Sequence, residues 1–226
     1  RYYTDWIKDP GYFGIRVYQN WEFVWFAHIY GDMTNSTGVD PIDFPALSAN
    51  PTEYWIVATD AATGTPVYFP KSKMKQDDYR CIMASCALPA ACKPIEIDGK
   101  LYYDGGVTDA IPVQRALDDG CDKIVAILSK PRGFIKKPEG MRFLYSRMCR
   151  KFPNTVKALD NRHIMYGKCQ QQLFDLEKEG KAFIFAPSNP PKMSTYTMDR
   201  EVEQQLYDLG MKDFHDAEDR FKKFLI

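Results

Sequence analysis

The chain has 226 residues, enough for one domain with a full α/β core. Its 30 basic and 30 acidic side chains cancel, which argues against a nucleic-acid binder. Apolar residues make up 45% of the chain, so its composition is that of a folded globular domain rather than a disordered one. No apolar run approaches the roughly 20 residues that a membrane-spanning helix needs.

The chain begins at Arg1 and has no signal-peptide pattern, so we expect it to be a piece of a longer protein. Its cysteines lack the C-x-x-C spacing of metal and redox sites. We expect them to be reduced core residues of an intracellular protein. The six cysteines are Cys81, Cys86, Cys92, Cys121, Cys149 and Cys169.

The hydrophobic pattern and its turn signals predict alternating strands and helices. Near the N-terminus, an aromatic stretch at 21–30 has helical spacing, and 32–51 has the composition of a loop. Further along, we expect a hairpin of the strands 54–59 and 66–69, a helix at 77–87 and a second hairpin of 95–97 with 101–103 around Asp98-Gly99. After these, we expect a helix from Pro112 to Gly120, a strand at 123–128, a helix at 154–179, a strand at 182–185 and a helix at 200–225.

The strand that ends at 103, the helix after Pro112 and the strand at 123–128 fit within about 30 residues, as in a βαβ unit. The sequence therefore predicts an α/β fold with a mainly parallel sheet sandwiched by helices. The last helix forms a helical C-terminal tail.

The triplet Asp104-Gly105-Gly106 follows a predicted strand. Ligands of open α/β sheets bind beyond the carboxyl ends of the strands. Two glycines allow the backbone to turn sharply and to approach a ligand closely. The triplet alone also describes a surface turn, so the context decides between the two interpretations.

That context resembles the patatin-like phospholipase family, and within it a bacterial branch. The resemblance rests on blocks at 84–89, 94–99, 103–106 and 111–113, on the upstream residues 58–60, 63–64 and 67–69, and on the downstream blocks 120–125 and 130–133. It extends over about residues 1–190. It implies a patatin-like hydrolase domain at 1–186 that lacks its N-terminal part, and a linker and helical tail of the same domain at 187–226.

The family's activity implies hydrolysis of acyl esters of phospholipids, lysophospholipids or related lipids through a Ser-Asp dyad. The resemblance assigns the acid to Asp104, with Gly105 and Gly106 as the motif around it, and implies no metal and no organic cofactor. The family's glycine-rich oxyanion loop and its G-x-S-x-G nucleophile motif do not occur in the sequence. We expect both on a missing N-terminal segment, and we expect the present chain alone to be inactive.

Two other functions are open at this point. The first is a patatin-like lipid-binding or regulatory module without catalysis. The second is a Ser-His-Asp hydrolase, which needs His28, His163 or His215 near Asp104. Ser85 lacks the flanking glycines of a nucleophile motif, so we expect it to form hydrogen bonds near the end of a helix.

The segment from Lys130 to Lys151 is strongly basic, with Glu139 as its one acidic residue. Its apolar residues allow peripheral contact with an anionic membrane, and a solvated helix face is the alternative. The predicted location is cytoplasmic, with peripheral membrane contact. The eight basic residues are Lys130, Arg132, Lys136, Lys137, Arg142, Arg147, Arg150 and Lys151.

Overall fold

The computed structural model describes residues 27–193 and 199–226. A π-helix at Ala27–Met33 comes first, and residues 21–26 of the predicted aromatic helix lie outside the described part. The other elements in chain order are α1 (Phe44–Ala49), β1 (Trp55–Asp60), β2 (Pro66–Pro70), α2 (Arg80–Cys86), β3 (Ile95–Ile97), β4 (Lys100–Asp104), α3 (Val113–Asp118), β5 (Ile124–Ile127), α4 (Arg142–Met148), α5 (Pro153–Lys178), β6 (Ala182–Phe185) and α6 (Arg200–Leu225).

The chain divides into two compact units. We call the first the sheet unit, and its described residues are 27–111 and 137–166. We call the second the tail unit, and its described residues are 112–136, 167–193 and 199–226. Helix α5 begins in the sheet unit and ends in the tail unit.

The sheet unit contains a four-stranded antiparallel sheet in the order β2-β1-β4-β3. The prediction of a mainly parallel sheet is therefore wrong for these strands. The cause is local, because a parallel pair needs a crossover of a dozen or more residues. Only residues 61–65 join β1 to β2, and only Asp98 and Gly99 join β3 to β4.

The turn between β3 and β4 confirms the predicted hairpin. Asp98 has φ 51° and Gly99 has φ 75°. Positive φ at both central residues defines the type I′ turn, whose twist matches that of two antiparallel strands. This hairpin fixes the register of β4, whose last residue is Asp104.

Helices cover both faces of this sheet, as predicted. Adjacent residues of a strand point to opposite faces, and Tyr102 and Tyr103 show this clearly. Tyr102 packs in a core with Cys81 and Ala84 of α2. Tyr103 packs in a second core whose helical members are Tyr145 and Cys149 at α4 and Val156 and Leu159 on α5.

The tail unit contains a parallel pair of strands, formed by β5 and β6. The predicted βαβ unit of β4, α3 and β5 is thus wrong in its pairing, since β4 pairs with β1 and β3. Phe183 and Phe185 of β6 pack against Phe221 of α6, with ring centroids 5.3 and 5.2 Å apart. The predicted helical tail is confirmed by α6.

Two local predictions need correction. The segment 32–51 is not loop throughout, because α1 lies within it, begun by Asp43, whose side chain accepts from the Ala46 N–H at 3.0 Å. The helix expected from residue 77 begins at Arg80, since Asp77 has φ 62° and cannot lie in a right-handed helix. Within the described ranges, no helix has the length and apolar character that crossing a membrane requires.

Candidate functional site

Asp104 lies at the end of β4, where the strand leaves the sheet. Its carboxylate oxygen Oδ1 accepts a hydrogen bond of 2.7 Å from the Gly106 N–H, which caps a short 3-10 helix at Gly105–Val107. Its own backbone N–H donates to the Ala87 carbonyl at 2.9 Å, which ties the end of β4 to the end of α2. The predicted acid is thus a half-buried residue of an ordered turn.

The two glycines of this turn are needed for different reasons. A Cβ on Gly105 would lie 2.3 Å from the Val57 carbonyl oxygen, so only glycine fits this close approach of two backbones. A Cβ on Gly106 would lie 3.2 Å from Asp104 Oδ1 and 3.4 Å from Arg162 Nη2. Any larger residue at 106 would therefore press on the carboxylate itself.

A buried threonine holds the backbone of the turn from the neighbouring strand. Thr59 on β1 is fully buried, and its hydroxyl donates to the Asp104 carbonyl at 2.8 Å. The same hydroxyl lies 2.9 Å from the Thr108 hydroxyl, which follows the turn. These contacts fix the backbone on both sides of the two glycines, so the carboxylate leaves the sheet in a defined direction.

Cys86, in the last turn of α2, is a neighbour of Asp104 that the sequence did not indicate. Desolvation and the charge of the Asp104 carboxylate raise the pKa of the Cys86 thiol, and a hydrogen bond with Tyr30 lowers it. The Cys86 sulfur lies 3.8 Å from the Tyr30 hydroxyl. A raised pKa keeps the thiol protonated at neutral pH, and a protonated thiol is a poor nucleophile.

Arg162 on α5 is the second neighbour that the sequence did not indicate. Its Nε–H donates to the Gly106 carbonyl at 2.6 Å. Its Nη1 donates to Glu139 Oε1 at 3.0 Å. Arg162 lies 56 residues beyond Gly106 and in no recognisable motif, so only the folded chain brings the two together.

Part of the basic segment of Lys130 to Lys151 forms ion pairs. Arg142 on α4 donates two hydrogen bonds to Asp160 on α5, at 2.9 and 2.8 Å. The Tyr145 hydroxyl donates to the same carboxylate at 2.6 Å. Arg142 and then Tyr145 lower the pKa of Asp160, whereas burial and this hydrogen bond raise the pKa of Tyr145 to about 12. In the tail unit, Arg132 forms a bidentate pair with Glu177.

The remaining candidate catalytic residues are the three histidines and Ser85. His28 is 3.2 Å from Asp32, His215 on α6 is 3.7 Å from Glu218, and His163 has a buried Nδ1 without a hydrogen-bond partner. These positions give no support to a Ser-His-Asp triad. Ser85 lies in the last turn of α2, as expected.

The cysteines are free thiols, of which Cys81, Cys92 and Cys149 are buried. The expectation of reduced core residues is met at these three, whereas Cys121 is exposed and Cys169 is half-buried. Cys86 is exposed as a whole residue, although its thiol group is largely desolvated. In residues 27–193 and 199–226, no group of three or more His, Cys, Asp or Glu side chains is placed to hold a metal ion.

Comparison with known proteins gives two matches to family models along the chain. Residues 24–117 match the model for patatin-like phospholipase, and residues 152–226 match the model for a domain of unknown function, DUF6363. The first match includes the whole Asp104 turn, and the second includes Arg162. The family match is shorter than the resemblance expected over residues 1–190.

Curated relatives agree with the first of these matches. Uncharacterized NTE family proteins of Mycobacterium tuberculosis and Mycobacterium bovis are 33% identical to this chain over 82 residues. The match covers 36% of this chain and 22% of the length of each relative. The resemblance read from the sequence is thus confirmed over residues 24–117, which match the patatin-like phospholipase family.

Proposed function

We propose that this chain is part of a serine acyl hydrolase that cleaves acyl esters of phospholipids, lysophospholipids or related lipids. In this proposal, Asp104 is the base of a Ser-Asp dyad, and the serine belongs to a segment outside residues 1–226. The observation that carries the proposal is the ordered Asp104-Gly105-Gly106 turn, which lies within the patatin-like match.

The proposed reaction has two steps that use Asp104 in turn. First, the serine hydroxyl attacks the ester carbonyl and passes its proton to the Asp104 carboxylate, and the leaving alcohol takes this proton as the acyl-enzyme forms. Then water attacks the acyl-enzyme and gives its proton to Asp104, which passes it to the serine oxygen as the ester bond breaks and the carboxylic acid leaves. Backbone N–H groups of a glycine-rich loop outside the chain would stabilise the oxyanion, at about 3 kcal/mol per donor.

The turn suits this role for a geometric reason. Gly106 donates to Oδ1 of the carboxylate. Thr59 and Ala87 hold the backbone of Asp104 from β1 and from the end of α2. A base whose direction is set by several fixed contacts loses little entropy on meeting its partner hydroxyl.

The experiment for this proposal is reaction of the full-length protein with a fluorophosphonate, which forms a covalent adduct with an activated serine. We expect one adduct, on a serine outside residues 1–226, and no reaction or ester turnover with the 226-residue chain alone. A full-length protein that contains no reactive serine would instead be a patatin-like lipid-binding or regulatory module without catalysis.

We also propose that residues 1–186 form the hydrolase domain without its N-terminal part and that 187–226 are its linker and helical tail. A cytoplasmic location is proposed on the basis of the free thiols, which persist in reducing compartments. Trypsin digestion of the intact protein tests the domain boundary, since a linker near residue 187 is expected to be cut before the folded parts.

We propose peripheral contact with anionic membranes through the basic segment of Lys130 to Lys151. Within the sheet unit, α4 exposes apolar side chains next to its arginines, and the Phe143 side chain is 81% exposed. A lipid hydrolase needs a route to its substrate, and an exposed aromatic residue beside positive charges fits the interface of an anionic bilayer.

Charge reversal at Lys136 and Lys137, both to Glu, is expected to weaken binding of the chain to anionic vesicles at least tenfold at low salt. Binding to neutral vesicles is expected to stay the same. Phe143→Ser is expected to weaken binding to both, and Tyr207→Ser, at another exposed aromatic residue (64% exposed), is the control. Equal binding of all variants in a vesicle sedimentation assay would show that the segment is only a solvated surface.

A further inference from the structure

Arg162 connects helix α5 to the turn that contains Asp104. The guanidinium is largely enclosed, since the side chain is only 19% exposed. The guanidinium donates to two different partners. Its Nε donates to the Gly106 carbonyl at 2.6 Å, and its Nη1 donates to Glu139 at 3.0 Å. Glu139 balances the charge and also holds the outer end of the planar guanidinium, so that Nε is aimed at the turn.

Gly106 passes this restraint on to the carboxylate. Its carbonyl accepts from Arg162, and its N–H donates to Asp104 Oδ1 at 2.7 Å. Glycine has the widest choice of backbone conformations, so a residue at this position needs contacts from outside to keep its N–H aimed in one direction. Gly105 is restrained by its close approach to Val57, whereas Gly106 has Arg162 as a side-chain contact.

The rest of α5 supports the same contact. In its first turn, Thr155 donates to the Ala61 carbonyl and Asn154 donates to the Ala62 carbonyl, both at 2.8 Å. These bonds fasten the start of α5 to the turn that follows β1. Because a helix is rigid over this length, the hydrogen bonds of its first turn also fix the position of Arg162 relative to Gly106.

We propose that Arg162 is a positioning residue for Asp104, acting through the Gly106 peptide groups rather than by contact with substrate. This inference rests on the proposed function of Asp104 as the base. It also gives a role to the start of the DUF6363 match: its first helix provides the residue that holds the acid turn of the patatin-like segment in place.

The test is a double-mutant cycle in the full-length protein, with kcat and KM measured on a lysophospholipid. Arg162→Met is expected to lower kcat about 10²-fold and to leave KM within about threefold, since small misplacements of a catalytic group have effects of this size. Arg162→Lys keeps one donor within reach of the Gly106 carbonyl. Its kcat is expected to be about tenfold higher than that of Arg162→Met and about tenfold lower than that of the parent.

Arg80→Met is the matched control. It removes a bidentate arginine pair with Asp78 at the start of α2, but not a contact to the turn, and should keep the parental kcat. In an Asp104→Asn background, Arg162→Met is expected to cause no further loss, because the group that it positions is already absent.

Each outcome separates this inference from the function on which it rests. Loss of activity in Asp104→Asn with full activity in Arg162→Met would overturn the positioning role and leave the dyad intact. A further loss from Arg162→Met in the Asp104→Asn background would show that Arg162 acts independently of the acid, and would overturn it too. Full activity of Asp104→Asn would overturn both. If Arg162→Met does not fold, the kcat of Arg162→Lys tests the positioning role. A kcat of Arg162→Lys equal to that of the parent would overturn this role and leave Arg162 with a role in stability alone.

Discussion

Asp104→Asn in the full-length protein is expected to lower kcat by about 10²–10⁴-fold, the usual contribution of a general base. Asparagine has nearly the size of aspartate, and its side-chain oxygen can still accept from the Gly106 N–H. The contacts of Thr59 and Ala87 involve only the backbone of residue 104, so the substitution leaves them in place. The amide cannot accept the serine proton, and a dyad without histidine has no other group to replace it.

The measurement is kcat on a lysophospholipid or a short-chain ester, together with a melting curve for each variant. We expect the two melting temperatures to agree within a few degrees, because packing and backbone hydrogen bonds are unchanged. An Asn variant that melts like the parent and keeps more than about a tenth of its rate would show that Asp104 is not the base.

Gly105→Ala is expected to destabilise the chain by about 3 kcal/mol or more, at the upper end of the usual cost of overpacking. The new methyl carbon would lie 2.3 Å from the Val57 carbonyl oxygen and 2.5 Å from the carbonyl carbon. Both are backbone atoms of β1, which is paired with β2 on one side and β4 on the other. The strand therefore cannot move aside without breaking two ladders.

Gly106→Ala is the matched control for this prediction. Its methyl carbon would meet the ends of two side chains, Asp104 Oδ1 at 3.2 Å and Arg162 Nη2 at 3.4 Å, and these can shift. We expect a smaller loss of stability than for Gly105→Ala but a clear loss of kcat in the full-length protein, since the shift moves the carboxylate. Urea denaturation of both variants measures the difference, and equal stability of Gly105→Ala and the parent would contradict the close approach.

Local signals in the sequence were sufficient to predict most of the helices and strands. The Asp98-Gly99 pair predicts the hairpin at β3 and β4 because few residues other than Asp, Asn and Gly adopt positive φ at low cost. The helix at 200–225 is confirmed at both ends, and Asp199 begins it by accepting from the Glu201 N–H at 2.9 Å. The strand end at Asp104 and the turn of two glycines after it were predicted from the same kind of signal, whereas the catalytic role of Asp104 is a proposal that rests on the family resemblance.

Pairing between distant segments could not be predicted in this way. The residues of β4 and β5 are compatible with a parallel pair, and only the folded chain shows that β4 pairs with β1 and β3 while β5 pairs with β6. Arg162 was missed for the same reason. An arginine within a long helix has no local signal, and the role proposed for Arg162 depends on its contact with a carbonyl 56 residues earlier in the chain.

The location of the fluorophosphonate adduct is the most direct measurement of the central claim that Asp104 activates a serine from outside residues 1–226. Peptide mass spectrometry of the labelled full-length protein is expected to find the adduct on that serine, and labelling is expected to be at least about 10²-fold slower in Asp104→Asn. An adduct on a residue within 1–226, or equal labelling rates in the parent and Asp104→Asn, would contradict the account.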